Sequence, residues 1–440
     1  MRLTARRLNR ATLARQLLLG REPLDVVEAV RRVVALQAQE AASPYIALWN
    51  RLAGFDPAEL DAAFADRAGV KATLIRITLH AVHAQDYPAF HSAMLPSLRG
   101  SRLTDRRFTS TGLSAADADA LVPRLLEFTA RPRTRAEVED LLEAALGEPK
   151  PRMWWALRTF APLWHAPTGG PWSFGPRSSF VAAPVQLPPE RREESERWLV
   201  RRYLEGFGPA TVPDVTQFSL LRRPVVRNAL DALAGELQEL EGPDGAKLFD
   251  LAGAPLPPED TPAPPRLLPM WDSLLLAYAD RGRVLPPDYR RLVARSNGDV
   301  LPTLLVDGYV AGVWRPVEGG IEATAFSRLP EDAWAGLAAE AAALTAFLVD
   351  RDPTVLPPPH PLVEDPPERR DPGAARLMWI EADGRGVTAP VRGPSGRRRT
   401  HPAAVSRRAA TVSTLAPGRL DDRGPRRGDH DRRRRPARGP

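Results

Sequence analysis

The chain has 440 residues, 43% of them hydrophobic and 26% charged, which is typical of a soluble globular protein large enough for more than one domain. It contains no cysteine, and this excludes disulfides, thiol nucleophiles, iron–sulfur clusters and zinc sites built on thiolates. The formal charge is +7, but residues 391–440 hold 15 arginines and 4 aspartates and so carry +11, which leaves −4 for the first 390 residues. The overall charge is therefore no argument that the main part of the chain binds nucleic acid.

Helical periodicity followed by strand-like composition recurs three times in the first 253 residues. The first repeat has predicted helices at 4–19, 24–39 and 56–68 and an extended stretch at 70–82. The second has predicted helices at 116–130, 134–146 and 151–160 and a hairpin at 163–181. The third has predicted helices at 193–206, 211–220 and 223–236 and a hairpin at 237–251.

Three helices and a hairpin are the order of a winged helix, and their tandem recurrence indicates an array of related units. We therefore predict an α+β fold with three tandem winged-helix units at 1–112, 113–190 and 191–253. A winged helix commonly sets one helix and one hairpin against a DNA duplex. The same unit also serves as a protein–protein scaffold, so the pattern alone leaves both roles open.

The pattern changes after a proline-rich segment at 254–265. Short strands and turns at 266–322 and one helix at 331–349 predict a small β-barrel-like domain over 254–351. Residues 352–440 are rich in proline and arginine, so we predict a disordered basic tail, although a shifted reading frame in a G+C-rich gene would give the same composition. No apolar run of membrane-spanning length and no secretory leader are evident, and we predict a cytoplasmic protein.

Gln37 and Gln39 close the second predicted helix, shortly before Pro44. On a regular helix residues two apart point about 200° apart, so both amides face one ligand only where the helix ends or distorts. The ordinary alternative is that two glutamines at a helix end bond to nearby backbone carbonyls.

Several stretches of the sequence resemble one family. Gln37-Ala38-Gln39 is similar to the Gln-x-Gln signature of the AlkZ/YcaQ family of winged-helix DNA glycosylases, and Arg76-x-Thr78-Leu79-His80 is similar to the Arg-x-Thr-Leu-His segment of that family. Residues 201–218 are similar to its third winged helix, and residues 266–315 to its C-terminal β domain. The resemblance covers about residues 1–350 and implies three winged helices and a β domain that form a concave body binding double-stranded DNA.

The resemblance also implies that Gln37 and Gln39 are the catalytic pair. An N7-alkylated guanine is a cationic leaving group that needs no general acid, so the enzyme has to stabilise an oxocarbenium-like centre and place one water. Two amide oxygens can do both, but they are poor general bases, so we expect excision of alkylated purines and not of undamaged bases. The expected substrate is of the N7-alkylguanine type, and the family resemblance implies that bulky adducts or interstrand crosslinks are included.

A glycosylase that is also a lyase needs a lysine to form a Schiff base. The chain has only three lysines, Lys71, Lys150 and Lys247, and the sequence places none of them in a matching setting. We therefore expect a monofunctional enzyme. We also expect it to act as a monomer and to need no cofactor. The competing hypothesis is a winged-helix DNA-binding protein or transcriptional regulator without catalytic activity.

Five further residues are candidates for DNA contact. Arg76 and His80 lie in the family-like segment, and Arg222, Arg223 and Arg227 lie on a candidate recognition helix, where phosphate contacts are expected. Packing or a solvated charged face is the alternative for each. We predict no metal site, because His80 and His83 point to opposite faces of a strand.

Overall fold

The computed structural model describes residues 1–168, 172–175, 177–317 and 320–349 in full, together with the backbone of strands at 376–381 and 386–390. These residues belong to one compact unit. The fold combines helices with antiparallel strands, in agreement with the predicted α+β class. Among the described residues no helix is both long and apolar enough to cross a membrane. The predicted boundaries near 112, 190, 253 and 351 stay predictions.

The helices are numbered in chain order. They are α1 (Ala5–Arg15), α2 (Val26–Arg32), α3 (Ser43–Trp49), α4 (Pro57–Ala65), α5 (Tyr87–Leu103), α6 (Arg106–Thr109), α7 (Ala115–Phe128), α8 (Arg135–Leu146), α9 (Pro151–Phe160), α10 (Arg192–Phe207), α11 (Val212–Ser219), α12 (Arg223–Ala232), α13 (Arg290–Val293) and α14 (Glu331–Phe347).

The strands form two six-stranded sheets and one hairpin. The strands are β1 (Leu36–Gln37), β2 (Gly69–Thr73), β3 (Leu79–His83), β4 (Arg133–Thr134), β5 (Leu163–Ala166), β6 (Ser179–Ala182), β7 (Leu237–Glu241), β8 (Lys247–Leu251), β9 (Arg266–Leu268), β10 (Thr303–Val306), β11 (Tyr309–Val317), β12 (Gly320–Ala325), β13 (Arg376–Glu381) and β14 (Gly386–Pro390). The first sheet has the order β1-β3-β2-β5-β6-β4, the second has the order β14-β13-β12-β11-β10-β9, and β7 pairs with β8.

The first sheet joins the first two predicted units. Lys71 in β2 pairs with His165 in β5, so the strands of both units belong to one continuous antiparallel sheet. The extended stretch of the first unit and the hairpin of the second are therefore parts of one sheet, which the sequence did not indicate. The two faces of the sheet contribute to different apolar clusters, since Val70 and Ala72 belong to one and Leu36 and Ala81 to another.

Local predictions in the first unit were partly wrong. The predicted helix at 24–39 is α2, which ends at Arg32, because Val34 adopts a left-handed conformation (φ 72°) and β1 then pairs with β3. The predicted strand at 70–82 is two strands separated by a short 3-10 turn at Ile75–Ile77. The long helix α5 was not predicted, and it contains Pro96.

The third unit has the predicted order of three helices and a hairpin, α10 to α12 followed by β7 and β8. The N-terminus extends this hairpin, because the amide of Leu3 donates to the carbonyl of Glu241 at 2.8 Å. Helix α1 is then buried against distant parts of the chain. Its Arg15 forms a double hydrogen bond with Asp250 in β8 at 2.6 and 2.8 Å, and its Asn9 donates to the carbonyl of Gly308 at 2.9 Å.

The C-terminal sheet is open, since β9 and β14 are its two edges and no closed barrel is found among the described residues. Strands β13 and β14 lie inside the segment that was predicted to be disordered, so that prediction was wrong for their residues. The rest of the predicted tail lies outside the described residues.

Candidate active site

Gln37 lies at the end of β1, opposite His80 in β3. Its side chain is buried, with the amide Nε2 donating to Thr78 Oγ1 at 3.1 Å. Its Oε1 accepts the backbone N–H of Gln39 at 2.8 Å. The Gln37 amide therefore fixes the chain as it leaves the strand, and its oxygen keeps one lone pair for a further donor.

Gln39 is exposed, and its side chain makes no hydrogen bond with the residues that the structure describes. It lines a cleft of about 210 Å³ between the loop after β1 and strands β2, β5 and β6, together with Glu40, Lys71, Leu79 and His165. The structure thus places the two glutamines differently, one anchored inside and one free to bind a water or a ligand. The predicted helix end is replaced by the end of a strand.

Lys71 is a residue of this cleft that the sequence did not indicate. Its side chain is 6% exposed, and its Nζ lies 4.6 Å from the centre of the Phe174 ring. Burial lowers the pKa of the Lys71 ammonium to about 8, against a smaller opposing effect of Glu40. The residue type is a signal that could have identified Lys71, because almost all other basic residues of the chain are arginines. The compact ammonium of a lysine suits a narrow site better than a guanidinium does.

Arg76 and His80 extend the hydrogen-bond network of Gln37. His80 Nδ1 donates to the carbonyl of Thr78 at 3.1 Å, which leaves Nε2 as an acceptor for Arg76 Nη2 at 3.5 Å. Burial, helped by the charge of Arg76, lowers the pKa of His80 to about 3, so the imidazole is neutral at physiological pH. One series of contacts thus joins five residues in the order Gln39, Gln37, Thr78, His80 and Arg76, and Gln39 takes part in it through its backbone N–H.

The other three arginines lie elsewhere. Arg222 precedes α12, and Arg223 and Arg227 lie on its first two turns, all three exposed. Arg227 borders a groove between α12, the start of α11 and the hairpin β7–β8. No contact in the described residues joins these arginines to the Gln37 cluster, so they belong to a separate surface of the third unit.

His91 in α5 is engaged in packing. His91 Nε2 hydrogen-bonds to the carbonyl of Phe160 at 2.9 Å, and burial lowers the pKa of His91 to about 4. Among the described residues no group of three or more histidine, aspartate and glutamate side chains is arranged to hold a metal ion.

Comparison with known proteins gives three consistent matches. A family profile described as DNA glycosylase AlkZ-like matches residues 30–347. A protein of Streptomyces sahachiroi named interstrand DNA cross-link repair glycosylase is 27% identical over 344 residues, which is 72% of this chain and 90% of the relative. The solved structure of the Streptomyces sahachiroi DNA glycosylase AlkZ superposes with a TM-score of 0.68 at 25% identity, covering 80% of this chain and 98% of that chain.

Proposed function

The chain belongs to the family of AlkZ-like DNA glycosylases, and we propose that this enzyme hydrolyses the N-glycosidic bond of alkylated purines in double-stranded DNA with a water positioned by Gln37 and Gln39. The observation that carries the proposal is the free amide of Gln39 at an open cleft, beside a Gln37 amide that is already held by Thr78. An amide oxygen can accept a hydrogen bond from water and present a negative dipole to a developing cation.

The electrostatics of the site fit a leaving group that is already charged. Neither glutamine titrates, and His80 is neutral and turned toward Arg76, so none of them is a general acid. A cationic N7-alkylguanine leaves without protonation, whereas an undamaged purine does not, so we expect a preference for alkylated bases. Because the Streptomyces sahachiroi relative is named for interstrand cross-link repair, and because the cleft is open, we include bulky adducts and crosslinks among the substrates.

We further propose that the DNA lies along the three predicted winged-helix units. The third unit supports this best, since it has three helices and a hairpin and carries Arg222, Arg223 and Arg227 on its surface. The enzyme is expected to act as a monomer.

The test is single-turnover base release from a duplex with one 7-methylguanine, corrected for spontaneous depurination and compared with the undamaged duplex. Release from the damaged strand alone is expected. If the protein binds DNA but releases no base from 7-methylguanine, from a bulky N7 adduct or from an N7-linked crosslink, the chain is a binding protein and the proposal is wrong.

The rate of base release is expected to vary less than about twofold between pH 6 and 9, because no group that titrates there takes part. The pH profile is an informative test because Lys71, which lines the cleft, has a pKa of about 8 and so changes its charge within this range. If its ammonium stabilised the transition state, the rate would fall above pH 8, and if its amine attacked the sugar, the rate would rise. Lys71→Met should leave the profile flat, and borohydride trapping of wild type that Lys71→Met abolishes would contradict a monofunctional reaction.

Replacement of the three exposed arginines by glutamine, Arg222→Gln/Arg223→Gln/Arg227→Gln, is expected to weaken binding through lost phosphate contacts. Each contact contributes about 0.9 to the slope of log K against log salt, so the triple variant should lose up to about 2.7 of that slope. The single-turnover rate at saturating protein should be unchanged. Arg328→Gln, an exposed arginine before α14, controls for the loss of positive charge alone, and an unchanged slope in the triple variant would remove α12 from the DNA-binding surface.

A further inference from the structure

Arg76 is held in an unusual backbone conformation. Its φ is 53° and its ψ is 21°, and Ile77 also has a positive φ of 61°. Residues with a side chain rarely adopt this left-handed region, and such conformations cost free energy that the surrounding structure supplies, often at functional sites. The turn directs the guanidinium inward, to the vicinity of the Phe218 ring at 6.0 Å.

The guanidinium of Arg76 is incompletely satisfied. Nη2 contacts His80, but Nη1 is buried without a hydrogen-bond partner among the described residues. A second arginine, Arg281, lies by the helix of Phe218, in a short 3-10 turn at Arg281–Arg283. The amide of Ala279, just before this turn, donates to Asp214 at 2.9 Å, and Asp214 lies one turn before Phe218 on α11. Burial and the like charge of Arg281 together lower the pKa of Arg76 to about 10.

Arg281 is also without an acidic partner. It is partly buried, its guanidinium forms no hydrogen bond or ion pair with the part of the chain that is described, and the charge that acts on it comes from Arg290. Burial, with a smaller effect of Arg290, lowers the pKa of Arg281.

Arg76 and Arg281 are partly buried, and the arginines of this protein that are more completely buried are all paired with acids. Each buried arginine has a carboxylate within 4 Å: the pairs are Arg10–Asp307, Arg15–Asp250, Arg51–Asp272, Arg202–Asp86, Arg266–Glu340 and Arg283–Asp214. Desolvating a guanidinium without an anion is costly, which is why proteins pair such groups. Arg76 and Arg281 are thus two neighbouring cations without a carboxylate partner among the described residues. The backbone of Arg76 is also in the strained left-handed conformation.

We propose that Arg76 and Arg281 together bind one phosphate of the DNA backbone beside the damaged nucleotide. Two planar guanidinium groups suit a phosphate, which accepts several charge-assisted hydrogen bonds at once. The phosphate is linked to the catalytic amides through His80, Thr78 and Gln37, so its binding fixes the register of the DNA at Gln39. The inference rests on the proposed function only in that the ligand is the DNA on which the glycosylase acts.

The experiment is a scan of the DNA backbone with neutral methylphosphonates in a duplex that carries a non-cleavable tetrahydrofuran abasic site. For wild type, one position near the abasic site should lose about 10- to 100-fold in affinity. For Arg76→Gln, Arg281→Gln and the double variant, the methylphosphonate at that same position should cost little, because the contact is already lost. The double variant should lose about 0.9 of the salt slope, as expected for one shared phosphate, and not about 1.8.

Two controls separate this role from a structural one. Arg67→Gln removes an exposed arginine that is also left-handed (φ 59°), and it should keep the wild-type pattern. Without DNA, Arg76→Gln should be as stable as wild type or more stable, since it removes an uncompensated charge. A wild type without a sensitive position, or variants that keep it, would overturn the proposal.

The readout does not depend on base release. If wild type releases no base while the methylphosphonate pattern holds, the glycosylase proposal fails and the phosphate site stands. If base release occurs and the pattern is absent, the phosphate site fails alone.

Discussion

Replacement of both glutamines by alanine is expected to lower the single-turnover rate of 7-methylguanine release by about 100- to 1000-fold, the range found when a dipole aimed at developing charge is removed from an active site. Gln39→Ala removes the amide that faces the cleft. Gln37→Ala removes the acceptor that holds the Gln39 backbone N–H and also the donor to Thr78. Because the two amides act as one unit, the double variant should be little slower than the worse single variant.

The comparison of variants makes this result specific. Gln39→Glu keeps an acceptor oxygen and should retain more activity than Gln39→Ala. Gln85→Ala removes an exposed glutamine from the turn after β3 and should have no effect. Affinity for the abasic-site duplex should change by less than about threefold in all of them, because the amides act on the transition state. Base release by the double variant at the wild-type rate would refute the glutamine mechanism.

Asp272→Ala is expected to destabilise the protein by about 3–5 kcal/mol, as measured when one partner of a buried ion pair is removed. Asp272 is hydrogen-bonded to both Nη atoms of Arg51 at 3.0 Å, and both side chains are almost completely buried. The pair connects the residue stretch after α3 to the segment that follows β9. Because α3 directly follows the loop that carries Gln39, loss of the pair weakens the contact between this part of the site and the C-terminal sheet. Urea unfolding of wild type and variant measures the difference.

The same pair offers a control for the cause. Arg51→Met/Asp272→Leu removes both charges and should be less destabilised than Asp272→Ala, because no uncompensated guanidinium is left. Glu239→Ala breaks the exposed pair with Lys247 and should change stability little. If the double replacement were as unstable as the single one, lost packing and not the buried charge would be responsible.

The sequence predicted helices and hairpins well where they depend on residues that are close together in the chain. A helix was predicted at 134–146, and α8 is found there, starting with a capping box of Thr134 and Glu137. A hairpin was predicted at 237–251, and β7 and β8 form it on the two sides of a Gly-Pro-Asp-Gly sequence. The glutamine pair was found because a resemblance drew attention to it, since residue type alone favoured an ordinary helix end.

The sequence could not predict features that depend on distant pairing. Nothing near Lys71 indicates that it pairs with His165, almost one hundred residues away, and so the single sheet that joins the first two units was missed. Helix α5 was missed because Pro96 and Gly100 resemble helix breakers, although tertiary packing keeps the helix intact. Arg281 could not be connected with Arg76 for the same reason, because two hundred residues separate them.

The burial of α1 sets an order of events during synthesis. The helix contacts Asp250 and Gly308, so a growing chain exposes its apolar face until about 300 further residues have been added. At ordinary elongation rates of about 5–20 residues per second this takes about 15–60 s. Helix α1 is therefore packed long after it has been synthesised, and chaperones that bind exposed apolar segments have a long opportunity to bind it.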